Sequence, residues 1–175
     1  MKILSCNVGS SSLKIRLYAM PEEQMQLSIR VERIGSKNAE YKMDYKGAQV
    51  SRVAHIQNHL EAVRLSLDQI VACGAIHALE ELDGVGFKTV HAGPLVEPSI
   101  IDEAVIAAME RYLPVAPLHN QIYLESIRAF EQAAPQVPRV AVFETFFHRH
   151  MPQYAYTYAV PYEWQEQYHI RKYGF

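Results

Sequence analysis

The sequence predicts an α/β protein with a mixed sheet and flanking helices. In the first third of the chain, apolar and polar residues alternate between Gly- and Ser-containing turns, a pattern typical of half-buried antiparallel strands. After residue 58 the apolar residues recur at helical spacing. Two later apolar runs alternate with the helical segments, which indicates further strands in one sheet with helices packed on it.

The chain opens with two apolar runs, residues 3–8 and 13–18, joined by a Gly-Ser-Ser-Ser corner. Two such runs around a short Gly/Ser turn predict a β-hairpin. Alternating segments at 25–34, 41–45 and 49–53 extend the hairpin to an antiparallel meander of about five strands.

A first helix is predicted from Asn58 to about Gly74, and residues 85–91 form a short buried strand. Asp102 opens a second helix, because early acidic residues suit the positive end of a helix dipole. A loop with two prolines follows at 113–119, and Asn120 is a candidate cap for the third helix. Residues 140–143 are predicted to be a buried strand before a polar segment at 144–150.

Composition indicates a single globular domain in the cytoplasm. The 175 residues carry a net charge of -2, which offers no basic surface for nucleic acid or an anionic membrane. No apolar run has the length of a membrane span. Cys6 and Cys73 lack metal-ligand spacing and are interpreted as buried thiols. His55 and His59 are interpreted as a solvated helix start, with a metal clip as the alternative.

The corner of the first hairpin combines the groups that bind phosphate. Gly9 lets backbone N–H groups approach an anion, Ser10 and Ser12 offer hydroxyls, and Lys14 supplies positive charge. Asn7 can ligate a hydrated cation without adding negative charge. An ordinary Gly/Ser hairpin turn is the alternative interpretation, and a Walker-type loop is excluded because no helix follows the glycine.

Ligands bind outside the carboxyl ends of strands in such sheets, and polar residues follow both later strands. Lys88 and His91 end one strand, and Glu144 and His148 follow the other. Together with the hairpin corner and the loop around His119, we expect these clusters to converge on one edge of the sheet.

Five blocks of the chain resemble motifs of the acetate kinase family, which includes propionate and butyrate kinases. Residues 7–14 (NVGSSSLK) resemble its opening signature, and 90–93 (VHAG) are similar to its Val-His-Gly-Gly element. Residues 116–120 (APLHN) resemble its substrate-side loop, and 140–148 (VAVFETFFH) its Val-Phe-Asp-Thr-Ala-Phe-His stretch. The terminal 171–175 (RKYGF) resemble its Arg-Arg-Tyr-Gly-Phe motif. The blocks keep the family's order.

The resemblance implies a ribonuclease H-like, actin-type ATPase fold of the sugar kinase/Hsp70/actin superfamily. Residues 1–175 would be its N-terminal domain, with the C-terminal nucleotide-binding domain absent from this chain. The implied activity is reversible phosphoryl transfer between ATP and a short-chain carboxylate, giving ADP and an acyl phosphate, with Mg²⁺. A homodimer of the full-length protein is also implied.

The resemblance also assigns roles to residues. Asn7 would hold Mg²⁺, and three residues would bind phosphate or nucleotide: Ser10, Ser12 and Lys14. The catalytic residues would be Lys88, His119 and Glu144. The small acyl group and its carboxylate would be bound by Val90, His91, Leu118 and Phe175.

Four positions depart from the family's motifs: Lys88 stands for arginine, Glu144 for aspartate, Ala92 for glycine and Gln121 for proline. Lysine lacks the bidentate fork of arginine. A catalytically degenerate binding or assembly domain is therefore the alternative hypothesis, and a cytoskeletal or chaperone-like ATPase is a third. The tyrosine-rich residues 154–162 are interpreted as a packing surface for the missing domain.

Overall fold

A computed structural model describes residues 1–115 and 117–174, apart from the side chain of Leu118. The described chain contains one eight-stranded sheet with the order β5-β4-β3-β2-β1-β6-β8-β7. Its strands are β1 Lys2–Gly9, β2 Ser12–Ala19, β3 Gln24–Glu32, β4 Ala39–Tyr45, β5 Ala48–Ala54, β6 Gly84–Thr89, β7 Ser99–Ile100 and β8 Arg139–Phe143. Its α-helices are α1 His59–Ala72, α2 Glu103–Arg111, α3 Pro117–Ala133, α4 Gln153–Tyr156 and α5 Tyr162–Tyr168, and two 3-10 helices are Leu79–Glu81 and Glu144–His148.

The predicted hairpin and meander are confirmed. Strands β1 to β5 pair antiparallel in sequence order, and Gly9 pairs with Ser12 across the first turn. Buried and more exposed residues alternate along β1 and β2, as expected where one face packs on the core and the other faces water.

The second half of the sheet is parallel. Strand β1 pairs parallel with β6, and β6 pairs parallel with β8. The carboxyl ends of β1, β6 and β8 therefore meet at one edge of the sheet, where the sequence predicted that the polar clusters would converge. The short β7 adds an antiparallel edge strand beside β8.

The core lies between the sheet and helices α1 and α3, which also contact each other. Leu4, Cys6 and Phe87 are fully buried on this side, and the Phe87 and Phe130 rings meet edge to face with centroids 5.1 Å apart. The residues next to Cys6 and Phe87 in sequence project from the opposite face, because side chains alternate along a strand.

Two predicted helix starts are confirmed by their caps. The Asn58 side chain accepts a hydrogen bond from the backbone N–H of Glu61 at 2.9 Å, and Asp102 accepts one from Val105 at 2.9 Å. Each carboxamide or carboxylate satisfies a donor that the helix leaves unpaired.

The prediction that Asn120 caps the third helix is wrong. Helix α3 begins at Pro117, whose fixed φ suits the first helical position and whose missing N–H would be unpaired there anyway. Asn120 lies within the first turn and is fully buried. Its Nδ2 donates to the backbone carbonyls of His91 at 2.9 Å and Met109 at 3.1 Å.

Two further expectations need correction. Strand β8 is buried on one face only, since Val142 keeps 41% of its surface exposed. The helix start at His59 is not solvated, because the His59 side chain is only 7% exposed and contacts the first hairpin.

The aromatic residues of the last segment are exposed. Tyr154 and Tyr162 in helices α4 and α5 are 87% and 69% exposed, and Phe147 is 83% exposed. Among the residues that the structure describes, no helix combines the length and apolar character needed to cross a membrane.

Candidate functional site

Three of the predicted site residues lie side by side on one face of the sheet. Asn7 of β1 pairs with Lys14 of β2 and with Lys88 of β6. Directly paired residues project from the same face of a sheet, and this face is opposite the one that carries Cys6 and Phe87. The structure therefore places the residue Asn7 between Lys14 and Lys88 along the sheet, and one amide with two amines is a combination suited to a phosphate and its counterion.

The turn of the first hairpin adjoins this row. Ser10 and Ser11 form the turn, and both are exposed. A Cβ atom at Gly9 would lie 2.6 Å from the Ser12 Oγ, so any larger residue would displace the Ser12 hydroxyl from its position over the strand end. The turn thus holds the Ser12 hydroxyl close to the backbone and presents Ser10 to the solvent.

Lys88 and Glu144 form an ion pair across the carboxyl ends of β6 and β8. Their side chains are 45% and 36% exposed, so an incoming ligand can reach both. Burial lowers the pKa of Lys88, but the contacts with Glu144 and Tyr123 outweigh it and leave the pKa above its ordinary value. Lys88 is therefore an ammonium ion throughout the neutral range.

Tyr123 is a site residue that the sequence analysis missed. It is 2% exposed on helix α3, and its hydroxyl interacts with Lys88. Burial raises the pKa of Tyr123, and Lys88 opposes that rise. Nothing in the sequence indicates which strand end the Tyr123 hydroxyl meets, because that depends on how α3 packs on the sheet.

His91 lies in a closed aromatic cluster. It is fully buried, with its ring centroid 4.9 Å from that of Tyr112 and 4.2 Å from that of Tyr173. Burial lowers the pKa of His91 to about 4, so the imidazole is neutral at pH 7. Burial, with a further contribution from Tyr112, raises the pKa of Tyr173 to about 12. His91 and Tyr173 are therefore both uncharged at neutral pH.

The backbone after His91 is fitted to this cluster. Gly93 has φ of 64°, and a Cβ atom there would overlap the Tyr112 ring. The neighbouring Ala92 is fully buried, and its backbone does not have a positive φ. The family's glycine at position 92 is therefore replaced without backbone strain, and the conformational requirement lies at Gly93.

The remaining predicted residues flank His91. Val90 is 3% exposed at the end of β6, and His119 is exposed in the first turn of α3. The adjacent Asn120 ties that turn to the His91 backbone. Two of the predicted residues lie outside the description, namely all of Phe175 and the side chain of Leu118.

The donor set fits a magnesium ion that arrives with phosphate. No group of three or more His, Cys, Asp or Glu residues within 1–115 and 117–174 is placed to hold a metal. Asn7 and Glu144 offer oxygen ligands on either side of Lys88. Protein Mg²⁺ sites commonly use one or two side-chain oxygens and complete the shell with phosphate and water.

One protein family matches this chain over nearly its whole length. The family model described as Acetokinase family matches residues 2–175. Acetate kinase of Onion yellows phytoplasma is 44% identical over 175 residues, covering 99% of this chain and 43% of that protein. Acetate kinase of Shouchella clausii is 43% identical, covering 99% of this chain and 44% of that protein.

Solved structures match at similar coverage. Acetate kinase of Porphyromonas gingivalis superposes with a TM-score of 0.89 at 35% identity, covering 99% of this chain and 45% of that one. Propionate kinase of Francisella tularensis gives a TM-score of 0.90 at 31% identity, with 99% and 44% covered. The predicted mixed α/β fold of the actin-like ATPase type is confirmed. This chain spans less than half the length of these relatives.

Proposed function

Because this chain belongs to the Acetokinase family, we propose that it is the N-terminal part of a short-chain carboxylate kinase. The reaction is reversible transfer of a phosphoryl group between ATP and acetate, propionate or butyrate, with an acyl phosphate as product. Transfer of this kind asks the protein mainly to position the reactants and to stabilise charge on the phosphoryl oxygens.

One observation carries the proposal: Lys88, Asn7 and Lys14 form a row at the edge where Glu144 also lies. The row offers two ammonium groups to the phosphoryl oxygens, and at 45% and 36% exposure Lys88 and Glu144 remain accessible to a ligand. A transferring phosphoryl group between Lys88 and Lys14 would be stabilised by both charges.

The other polar residues take supporting roles in this proposal. Ser10 and Ser12 donate their hydroxyls to phosphate oxygens, and His119 donates to the transferring phosphoryl group. Asn7 and Glu144 hold Mg²⁺, which supplies positive charge to the phosphate oxygens when bound. His119 is exposed at the start of α3, which leaves its ring free to meet a ligand.

The proposed binding site for the acyl group is small and neutral. In this proposal Val90, Leu118 and Phe175 supply the apolar contacts to the acyl chain, and neutral His91 packs beside Val90 at the end of β6. A buried imidazole whose pKa lies near 4 adds no positive charge, so the substrate carboxylate is left to pair with Lys88. The similar proteins include both an acetate kinase and a propionate kinase, and the proposal therefore covers this range of carboxylate chain lengths.

The proposal includes the partners that the chain does not itself supply. A C-terminal domain would carry the nucleotide-binding loops, and its docking would cover exposed aromatic residues such as Tyr154 and Tyr162. ATP/ADP would bind between the two domains, and the full-length protein would form a homodimer. A cytoplasmic location agrees with the two free thiols, Cys6 and Cys73.

One observation favours the second candidate, a degenerate domain without kinase activity. Lys88 and Glu144 are already paired with each other, so each neutralises the charge that the other would offer to a ligand. Glutamate is one methylene longer than the family's aspartate, and a misplacement of about 1 Å can cost about a hundredfold in rate.

The deciding experiment is a chimera in which residues 1–175 replace the matching segment of the Shouchella clausii acetate kinase. Acyl phosphate formation is measured with acetate, propionate and butyrate, and ATP hydrolysis is measured without carboxylate. The unaltered relative is the positive control. We expect carboxylate-dependent acyl phosphate, with a clear preference among the three acids.

A second chimera carries Lys88→Arg together with Glu144→Asp. No turnover by the first chimera with recovery in the second would identify the degenerate domain and contradict the kinase proposal. ATP hydrolysis that is independent of every carboxylate would instead favour a chaperone-like or cytoskeletal ATPase.

A further inference from the structure

The turn of the first hairpin is attached to helix α1 through a buried histidine. His59 is the first residue of α1, is 7% exposed, and places its Nε2 2.9 Å from the carbonyl oxygen of Gly9. The two residues are separated by 50 positions in the chain, so this contact joins two elements that the sequence keeps apart.

The chemistry of the contact determines which nitrogen of the His59 ring must carry a hydrogen. A carbonyl oxygen only accepts hydrogen bonds, and a neutral imidazole carries its hydrogen on one of its two nitrogens. The hydrogen must therefore be on Nε2 for His59 to donate to Gly9. The Ser10 N–H belongs to the same peptide plane as the Gly9 carbonyl and, in a trans peptide, points the opposite way. The His59 contact, together with the pairing of Gly9 with Ser12, therefore holds the Ser10 N–H pointing away from α1.

A second backbone contact holds the other side of the turn. The N–H of Ile34 donates to the Ser11 carbonyl at 2.9 Å, and Ile34 follows the end of β3 closely. Two carbonyls of the turn are thus bound from within the protein. Side-chain hydroxyls and the outward Ser10 N–H remain for a ligand, and donors of this kind bind anions.

We infer that His59 is a positioning residue for phosphate binding: through its Nε2–H it orients the Gly9–Ser10 peptide so that the Ser10 N–H faces the phosphate. This inference rests on the proposed function. His59 acts through the Gly9 carbonyl and does not touch the ligand. Preorganised donors of this kind avoid reorganisation when the ligand binds.

The test compares three variants of the 175-residue chain by NMR during titration with inorganic phosphate. His59→Leu keeps an apolar side chain but removes the donor, and His59→Gln keeps an N–H at the position of Nε2. His55→Leu is the matched control, because His55 is exposed four residues earlier. The readouts are the phosphate dissociation constant from the Ser10 amide signal, the imidazole ¹⁵N shifts, and thermal unfolding.

We expect the Ser10 amide of the unaltered chain to shift with phosphate, and the His59 ring to show its hydrogen on Nε2. Loss of one hydrogen bond predicts that His59→Leu raises the dissociation constant about fivefold to tenfold. His59→Gln and His55→Leu should stay within about twofold of the unaltered chain, since neither removes that donor.

The contradicting outcomes separate the inference from the proposed function. Equal phosphate affinity in folded His59→Leu and the unaltered chain overturns the positioning role and leaves the kinase proposal intact. A His59 ring that carries no hydrogen on Nε2 in the unaltered chain overturns the inference even where His59→Leu does not fold. If the Ser10 amide signal of the unaltered chain does not shift with phosphate, the turn does not bind phosphate. That result overturns this inference as well.

Discussion

The two sides of the candidate site differ in exposure and in charge. On the side proposed to bind phosphate (the phosphate side), Lys88 and Glu144 are 45% and 36% exposed and paired as ions. On the side proposed to bind the acyl group (the acyl side), His91 is fully buried, neutral and enclosed by Tyr112 and Tyr173. The two sides are adjacent along the chain, since only two residues separate Lys88, in β6, from His91, just after β6.

This difference indicates a division of labour. Exposed ions contribute little to folding stability because water screens their attraction, but they can exchange partners when a ligand arrives. Buried aromatic packing contributes strongly to stability and cannot rearrange without leaving voids. Substitutions on the acyl side should therefore act on folding first, while those on the phosphate side should act on the reaction.

The largest loss of stability is expected for Gly93→Ala. Its Cβ atom would overlap the Tyr112 ring at a φ of 64°, so strain and displaced packing add to at least about 3 kcal/mol. Gly74→Ala is the matched control, because Gly74 also has positive φ but nothing lies within 4 Å of the added atom. Denaturant unfolding measures both, and equal losses would show that the Tyr112 contact is unimportant.

The free energy of unfolding should depend on pH because His91 is buried in its neutral form. Its pKa in the folded protein, about 4, lies below the unfolded value of about 6.5. The unfolded chain therefore binds a proton first, and stability falls as the pH drops from about 6.5 towards 4, by up to about 3 kcal/mol.

The variant His91→Phe removes that proton and should flatten the pH dependence over this range in urea unfolding. His150→Phe is the control at an exposed histidine and should leave the dependence unchanged. An identical acid dependence in His91→Phe and the unaltered chain would contradict the buried neutral state.

An intermediate loss of stability is expected for Asn120→Leu. The substitution removes donors from the carbonyls of His91 and Met109, and buried carbonyls left without partners cost about 2 kcal/mol. The exposed neighbour variant Gln121→Ala should change the free energy of unfolding by less than about 0.5 kcal/mol. Similar values for both variants would show that Asn120 does not hold the two segments together.

The smallest loss of stability is expected for Glu144→Gln. An ion pair exposed to this degree contributes less than about 1 kcal/mol, and the remaining effect should shrink further in high salt. Thermal unfolding at low and high ionic strength checks this. A loss comparable to that of Gly93→Ala would mean that the phosphate side also stabilises the fold.

Local patterns in the sequence predicted much of the fold. Alternation identified the hairpin and meander, and Asn58 and Asp102 marked two helix starts, because these signals depend on neighbouring residues. Asn120 misled because an asparagine near a helix start is typical of a cap, whereas here it binds two carbonyls from distant segments. Pro117 was the better signal for the start of α3.

The site was predictable as a set of strand ends and motifs but not as contacts. Lys88 lay near the end of one predicted strand and Glu144 followed another, and the parallel pairing of β6 and β8 explains why they meet. Tyr123 and His59 were missed because their roles depend on how α3 and α1 pack on the sheet. Such packing brings together residues that are far apart in the chain and leaves no local pattern.

The most direct test of this division of labour is the activity of Glu144→Gln in the chimeric kinase, measured beside its stability. We predict that the rate of acyl phosphate formation falls by about a hundredfold or more, while the free energy of unfolding changes by less than about 1 kcal/mol. A variant that keeps the full rate, or that loses rate only because it unfolds, would contradict the account.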